Sequence, residues 1–338
     1  MPVPLRALIT GATGFVGPHL IRRLLAAGAE VWASAWSPDA RPAGGGDLPP
    51  GIGRLTCDLR DPEAAAALVA RARPDRVYHL AAFSLPGQSW GDPLEATRVN
   101  FLGTLHLLDG IRRLHPGARF LLAGSAEVYG RVAAEELPLK EDQPLRPVTP
   151  YGMSKAAAEL ATAQYARAYG LDVRIARAFN HTGPGQTEQF VCPSLARQVV
   201  EIAAGLRPPP LEAGTLEVVR DFSDVRDIVA GYERIMERGE PGEVYQLCAG
   251  RPVALREVVA LIQDAAAIAV PVVSVPDRVR PVDIPALWGS PAKAEARLGW
   301  RTTIPLAVTL GELVAEARQR LAAGLPAGGA VGPGPAGR

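Results

Sequence analysis

The sequence predicts an α/β protein, a doubly wound parallel sheet of the Rossmann type followed by a smaller α/β unit. Three observations carry this. Short apolar runs alternate with amphipathic stretches over residues 1–178. A glycine-rich turn follows the first apolar run, and after Phe179 the alternation loosens and loops lengthen.

The elements follow in order. Residues 5–10 form an apolar run bounded by Gly11, as expected of a buried parallel strand. Residues 15–27 place Leu20, Leu24 and Ala27 on one helical stripe, and Gly28 stops it. Further strands are expected at 31–35, 54–57, 76–80, 119–123 and 172–177, and helices at 62–72, 93–114 and 150–169. Pro and Gly crowd 38–51, which marks a loop. Later, helices are expected at 224–237 and 255–267, and the chain returns to the first sheet near 243–248. The first unit is therefore 1–178 plus 243–248, and the second is 179–242 plus 249–323. Residues 324–338 are Gly, Pro and Ala with almost no apolar anchor, so a disordered tail is expected.

Composition excludes several functions. The chain has 338 residues, 48% of them hydrophobic, which is ample for a large core. A net charge of +1 with no dense Lys/Arg run, and only 6% aromatics, argue against nucleic-acid binding. No uninterrupted apolar stretch reaches about 18 residues, so no membrane span is expected. Cys57, Cys192 and Cys248 are far apart, with no CxxC, so neither a metal site nor a disulfide framework is expected. Buried thiols and the absence of a secretion signal point to the cytoplasm.

Two motifs carry chemistry. Gly11-Ala12-Thr13-Gly14-Phe15-Val16-Gly17 lies between the first strand and the first helix. Glycines there permit a tight turn and close approach of a pyrophosphate to free N–H groups at a helix N-terminus. Tyr151 and Lys155 are four residues apart, so on a helix they share a face. An ammonium beside a phenol should lower the tyrosine pKa and let it exchange a proton with an alcohol or carbonyl oxygen. The second strand region, 31–36, carries no acid to hold a ribose 2′-hydroxyl, which admits a 2′-phosphate. Ser34 and Arg41 are the nearest groups to receive it. NADP(H) is the expected cofactor, with NAD(H) as the alternative.

The GxxGxxG spacing, with the Tyr–Lys pair, resembles the extended branch of the short-chain dehydrogenase/reductase superfamily. The resemblance spans about residues 3–320. It implies that Ser125, ending a strand about 25 residues before Tyr151, orients the reacting oxygen. It also implies cofactor contacts from Asp58, Leu59, Leu80, Ala81, Ala82 and Asn100. This branch acts mainly on nucleotide sugars. Ala126 and Glu127 leave a single acid where several 4,6-dehydratases have two. Phe179-Asn180-His181-Thr182-Gly183-Pro184-Gly185-Gln186 is similar to the bacterial GDP-4-keto-6-deoxy-mannose reductases, which form GDP-D-rhamnose. GDP-mannose dehydratases tend to carry a basic pair soon after the Asn-His, and here no Arg or Lys follows His181 before Arg197. Trp36 stands where those reductases often have a cofactor-side arginine. By resemblance, Ser84, Glu127, Asn180, Arg220, Arg280 and Asp283 meet the substrate, and Glu127 joins Ser125, Tyr151 and Lys155 in catalysis. Two arginines suit a diphosphate. The implied reaction is reduction of a C4 ketone on a GDP-linked deoxysugar. The alternatives are a nucleotide-sugar 4-epimerase or 4,6-dehydratase, and a cofactor-binding redox sensor. The resemblance further implies a homodimer packed through the long helices 93–114 and 150–169.

Overall fold

A computed structural model describes residues 4–45, 47–278 and 284–324. Arg280, Asp283 and residues 325–338 of the expected tail lie outside the described residues.

The alternation of the first half becomes β1 (Arg6–Thr10), α1 (Val16–Ala26), β2 (Glu30–Ala35), β3 (Gly53–Thr56), α2 (Pro62–Ala72), β4 (Arg76–His79), α3 (Pro93–Thr97), α4 (Gly103–Leu114), β5 (Arg119–Ser125), α5 (Pro150–Tyr169) and β6 (Val173–Ala178). All neighbours in the main sheet pair in parallel. Successive strand residues point to opposite faces. Leu8 therefore enters the core beneath α2 and α4, while Ile9 enters the core beneath α1. Helix starts follow from local chemistry. Asp61 and Thr149 each cap a helix that opens on proline, and the Thr149 Oγ1 accepts from Gly152 N at 2.9 Å. That cap sets Tyr151 in the first turn of α5.

The expected 93–114 helix is interrupted. Between α3 and α4 lies a π turn, Arg98–Leu102, with the buried Asn100 at its centre. A wider turn of this kind commonly marks a functional position.

The second half contains β7 (Asn180–Thr182), α6 (Val191–Ala203), β8 (Leu211–Ala213), β9 (Val219–Arg220), β10 (Phe222–Asp224), α7 (Val225–Arg238), β11 (Val244–Leu247), β12 (Val253–Ala254), α8 (Leu255–Ala266), β13 (Val272–Ser274), β14 (Ala286–Leu287), α9 (Ala292–Leu298) and α10 (Leu306–Ala322). β11 pairs with β6, giving the sheet order β11-β6-β5-β4-β1-β2-β3. The order reverses between β1 and β4, where open α/β sheets bind ligands at their carboxyl ends. α6, α8 and α10 enclose a separate apolar core over short strand pairs.

One placement differs from the sequence expectation. Position in the chain assigns α7 to the second unit, but it packs on the first, with Ile228, Val229, Tyr232, Ile235 and Met236 buried beside Ile9, Leu20 and Tyr245. The region of α9 joins it there through Ala294, Leu298 and Trp300. The apolar face of α7 covers β5, β6 and β11, as a helix does that leads directly into a strand of the same parallel sheet.

Candidate active site

The glycine loop is built by steric necessity. Gly11 has φ +67°, and a Cβ there would lie 2.6 Å from Ala81 N. The loop thus rests directly on the Leu80–Ala81 backbone after β4. A Cβ on Gly17 would lie 2.2 Å from Ala12 O, so α1 approaches the loop only because that residue is glycine. Gly14 N donates to Gly11 O at 2.9 Å and closes the turn. Phe15 lies against His181 of β7 in a stacked pair 6.1 Å between centroids, tying the loop to the second unit.

A cavity of about 470 Å³ opens beside this loop, lined by Thr13, Ser34, Arg41 and Arg54 among others. It lies at the carboxyl ends of β1, β2 and β3, where the adenosine side of a dinucleotide is held in this fold. The residues present fit such a group, since the glycines leave the backbone bare and the cavity is roomy. Ser34 is buried on its wall. Arg41 is exposed and stands 3.7 Å from Asp47. Asp39 and Asp47 also line the cavity, acids brought from the 38–51 loop that a reading of the strand alone misses. Glu30 belongs to β2 but at its far end, bound to Arg6 and Trp32. The Asp58 carboxylate is already engaged by Arg60, which holds its pKa below the usual carboxylate range. Leu59 is buried under α4, and its carbonyl is 2.8 Å from His106 Nδ1. Ala82 lies in the partly buried stretch running on from β4.

Ser125, Tyr151 and Lys155 come together. A side-chain hydrogen bond joins Ser125 and Tyr151, and Ser125 Oγ accepts from Glu127 N at 3.2 Å. Lys155 Nζ donates to Ala123 O at 2.9 Å. Burial pushes Tyr151 up to about 12, with Ser125 opposing and the Glu127 charge adding to the rise. The expected depression of the tyrosine by Lys155 is therefore not met. The reason is desolvation of a buried phenol while the ammonium is directed at a carbonyl. Burial also pulls Lys155 down to about 8. Asn100 braces this group from the π turn: Nδ2 donates to Ser154 Oγ at 2.8 Å and Oδ1 accepts from Phe83 N at 2.7 Å. Ser154 Oγ in turn donates to Tyr151 O at 2.8 Å. Ser84 follows directly on this stretch and is exposed.

The second-unit residues behave differently. Asn180 is exposed and pairs with Phe222 across β7 and β10. Arg220 is buried, and its Nη1 donates to Val219 O and to Ile284 O at 2.7 Å. Asp221 accepts from Ala249 N and Gly250 N, Asp224 from Arg226 N and Thr309 Oγ1, and Asp227 from Thr303 and Ile304. The three carboxylates are thus satisfied by backbone and side-chain donors of neighbouring segments. Sequence reasoning also misses His79, which is fully buried between Thr10 and Thr104. All three cysteines are free and buried, and burial raises each thiol pKa.

Fold and site together define an NAD(P)-dependent enzyme of the extended short-chain dehydrogenase/reductase type. The family model described as GDP-mannose 4,6 dehydratase matches residues 8–314, and the chain belongs to that family. It is similar to the GDP-6-deoxy-D-mannose reductase of Pseudomonas aeruginosa, 34% identical over 94% of this chain and 98% of that protein. Among solved structures, RMD from Pseudomonas aeruginosa complexed with NADPH superposes with a TM-score of 0.80, at 32% identity over 94% of this chain and 98% of that one. The Thermus thermophilus UDP-glucose 4-epimerase complex with NAD reaches 0.83 at 32% identity, over 93% and 99%.

Proposed function

We propose that this enzyme reduces the C4 ketone of a GDP-linked 4-keto-6-deoxyhexose, with NADPH as the preferred cofactor and GDP-D-rhamnose or a close analogue as product. The observation that carries the reading is the corner where Ser125 and Tyr151 share a hydrogen bond beside the buried Lys155, because a protonated phenol held there can donate to a forming alkoxide. Nearly full-length similarity to a GDP-6-deoxy-D-mannose reductase supports the substrate class. The RMD complex with NADPH supports the cofactor.

The residues have distinct tasks. Gly11, Gly14 and Gly17 open the backbone to the cofactor pyrophosphate, and Thr13, Phe15 and Val16 complete that loop. The bound cofactor supplies the hydride. Ser125 holds the ketone oxygen by hydrogen bonding and stabilises the charge that develops on it. Tyr151 delivers the proton to the same oxygen. Lys155 holds a buried positive charge near that exchange and orients the nicotinamide ribose. Asn180 and Arg220 lie on strands carrying the second-unit motifs, and Arg280 and Asp283 complete the substrate set. Glu127, at the turn after Ser125, faces the sugar hydroxyls.

We further assign the protein to the cytoplasm, consistent with three free buried thiols. Among the described residues, no helix is long and apolar enough to cross a membrane. A homodimer through α3, α4 and α5 accounts for Leu94, Leu102, Met153 and Leu160, large apolar side chains exposed on or beside these helices. Met153 and Leu160 are two turns apart and share a face of α5.

Mixing the purified enzyme with NADPH and GDP-4-keto-6-deoxymannose should consume reduced cofactor in step with product. Retained cofactor with no net oxidation would instead identify an epimerase or dehydratase cycle. Fluorescence titration should show NADPH binding more tightly than NADH, and equal or tighter NADH binding would reverse the cofactor assignment.

A further inference from the structure

A continuous buried chain of hydrogen bonds runs from the glycine-loop strand to the catalytic helix. Thr10 Oγ1 lies 2.7 Å from His79 Nδ1, and Ala81 N donates to the same Thr10 oxygen at 3.3 Å. His79 Nε2 lies 3.0 Å from Thr104 Oγ1. Thr104 Oγ1 donates to Asn100 O at 2.6 Å. Asn100 then reaches Ser154, and Ser154 reaches Tyr151 O.

The proton directions in this chain are determined. A threonine hydroxyl has one proton. Thr104 spends its proton on Asn100 O, so it accepts from His79, and His79 carries its proton on Nε2. Nδ1 is then an acceptor, and Thr10 donates to it while accepting from Ala81 N. Burial with Lys155 nearby holds the imidazole pKa near 3, so the ring stays neutral. Thr10, His79, Asn100, Thr104 and Ser154 are all buried, so bulk solvent does not reach these groups.

We propose that His79, locked as the Nε2–H tautomer between Thr10 and Thr104, is a positioning residue for the hydride chemistry. It sets the spacing between two backbones. One is the Thr10–Gly11 and Leu80–Ala81 pair that seats the cofactor. The other is the Asn100 π turn that seats Tyr151 through Ser154. A leucine would fill the same space without specifying direction, whereas a fully satisfied polar chain admits one register. His79 touches neither the substrate nor the reacting atoms. It acts through Asn100 on Tyr151 and through Thr10 on the loop.

The test uses Thr104→Val, which removes the hydroxyl at nearly constant volume, and Thr104→Ser, which restores it. Both are compared with wild type for NADPH affinity by fluorescence, melting temperature, and steady-state reduction of the keto sugar. Small misplacements at an active site cost rate more than binding, so Thr104→Val should lower kcat by about tenfold or more while KM and the NADPH Kd stay within about twofold. Thr104→Ser should regain most of kcat. A folded Thr104→Val with wild-type kcat overturns the proposal, as does a Thr104→Ser as slow as the valine variant.

Long-range ¹⁵N–¹H spectra of ¹⁵N-histidine-labelled wild type give a second readout that needs neither variant nor substrate. A bare Nδ1 and protonated Nε2 on His79 are expected, and the opposite tautomer or a doubly protonated ring overturns the proposal. The kinetic arm rests on the reductase reading. If wild type itself leaves the keto sugar untouched, that reading fails, and the spectra still decide the tautomer.

Discussion

In the corner between β5 and α5, Ser125 and Tyr151 share a hydrogen bond, and Lys155 is buried beside them with its ammonium on the Ala123 carbonyl. In the segment from Arg220 to Asp227, equally polar carboxylates are taken up by backbone and side-chain donors of the surrounding structure. Ser125, Tyr151 and Lys155 bring a half-buried hydroxyl, a buried phenol and a buried ammonium into one small volume, and burial displaces the pKa values of the last two. Asp221, Asp224 and Asp227 are just as buried, and burial pushes Asp221 up to about 6, yet each carboxylate has two or more donors from turns and from neighbouring segments. Both arrangements carry desolvation. The first places it on a phenol and an ammonium where chemistry occurs, and the second offsets it with hydrogen bonds that hold the architecture. Damage to the corner should therefore fall on rate, and damage to the segment on stability.

The largest test is Tyr151→Phe. It removes the proton donor but keeps the ring, so kcat should fall by about 10³-fold, within the range for lost general acid catalysis, with NADPH affinity unchanged. Steady-state kinetics beside a fluorescence titration would show it. A loss under about tenfold would mean that the proton comes from elsewhere and that the corner is not the reactive centre.

Next is Lys155→Met, which sharpens the claim that the corner is strained. Burial lowers the ammonium to about 8 from a free value of 10.5. Between those values the unfolded chain binds more protons than the native one, so wild-type stability should rise with pH across that window. Below about pH 8 the full penalty of the charged lysine applies, up to about 3 kcal/mol at 1.36 kcal/mol per pKa unit. Lys155→Met should therefore be slower but more stable at pH 7, and its advantage should shrink as pH climbs toward 10.5. Melting temperatures measured across pH would check this. A variant less stable than wild type at pH 7 would show that the Nζ hydrogen bond to Ala123 O outweighs desolvation.

The contrast also explains what can be read from the chain alone. The sheet strands, the glycine turn and the Tyr–Lys helix are local objects, each marked by period, cap or spacing over a short stretch of chain. Ser125 comes from resemblance, yet it too sits at a strand end that the apolar run 119–123 foretells. Apart from the π turn that breaks the 93–114 helix, the features that depart from expectation are long-range. α7 lies within the stretch 179–242 but packs on β5, β6 and β11 of the main sheet, beside Ile9 and Tyr245. The Tyr151 pKa follows from burial, which spacing does not encode, and spacing alone suggests a shift of opposite sign. His79 reads as one strand residue among others until Thr10 and Thr104 flank it.

Asp227 is the smaller and more exacting test, because it is as buried as the catalytic pair and is held by a full set of donors. Its carboxylate accepts from Thr303 N at 2.9 Å, Thr303 Oγ1 at 2.8 Å and Ile304 N at 3.0 Å, and its carbonyl accepts from Trp300 Nε1 at 2.8 Å. These contacts tie the start of α7 to the strap that leads into α10. Asp227→Ala strands those donors in a buried place, at a cost of about 2 kcal/mol, while the carbonyl contact survives because it is backbone. The melting temperature should drop by a few degrees, by about 2–4 °C per kcal/mol for a chain somewhat larger than the surveyed domains. The folded fraction should keep its kcat, since nothing in the β5–α5 corner depends on the strap. A variant that melts like wild type but turns over slowly would erase the distinction between the two regions and place Asp227 with the catalytic group.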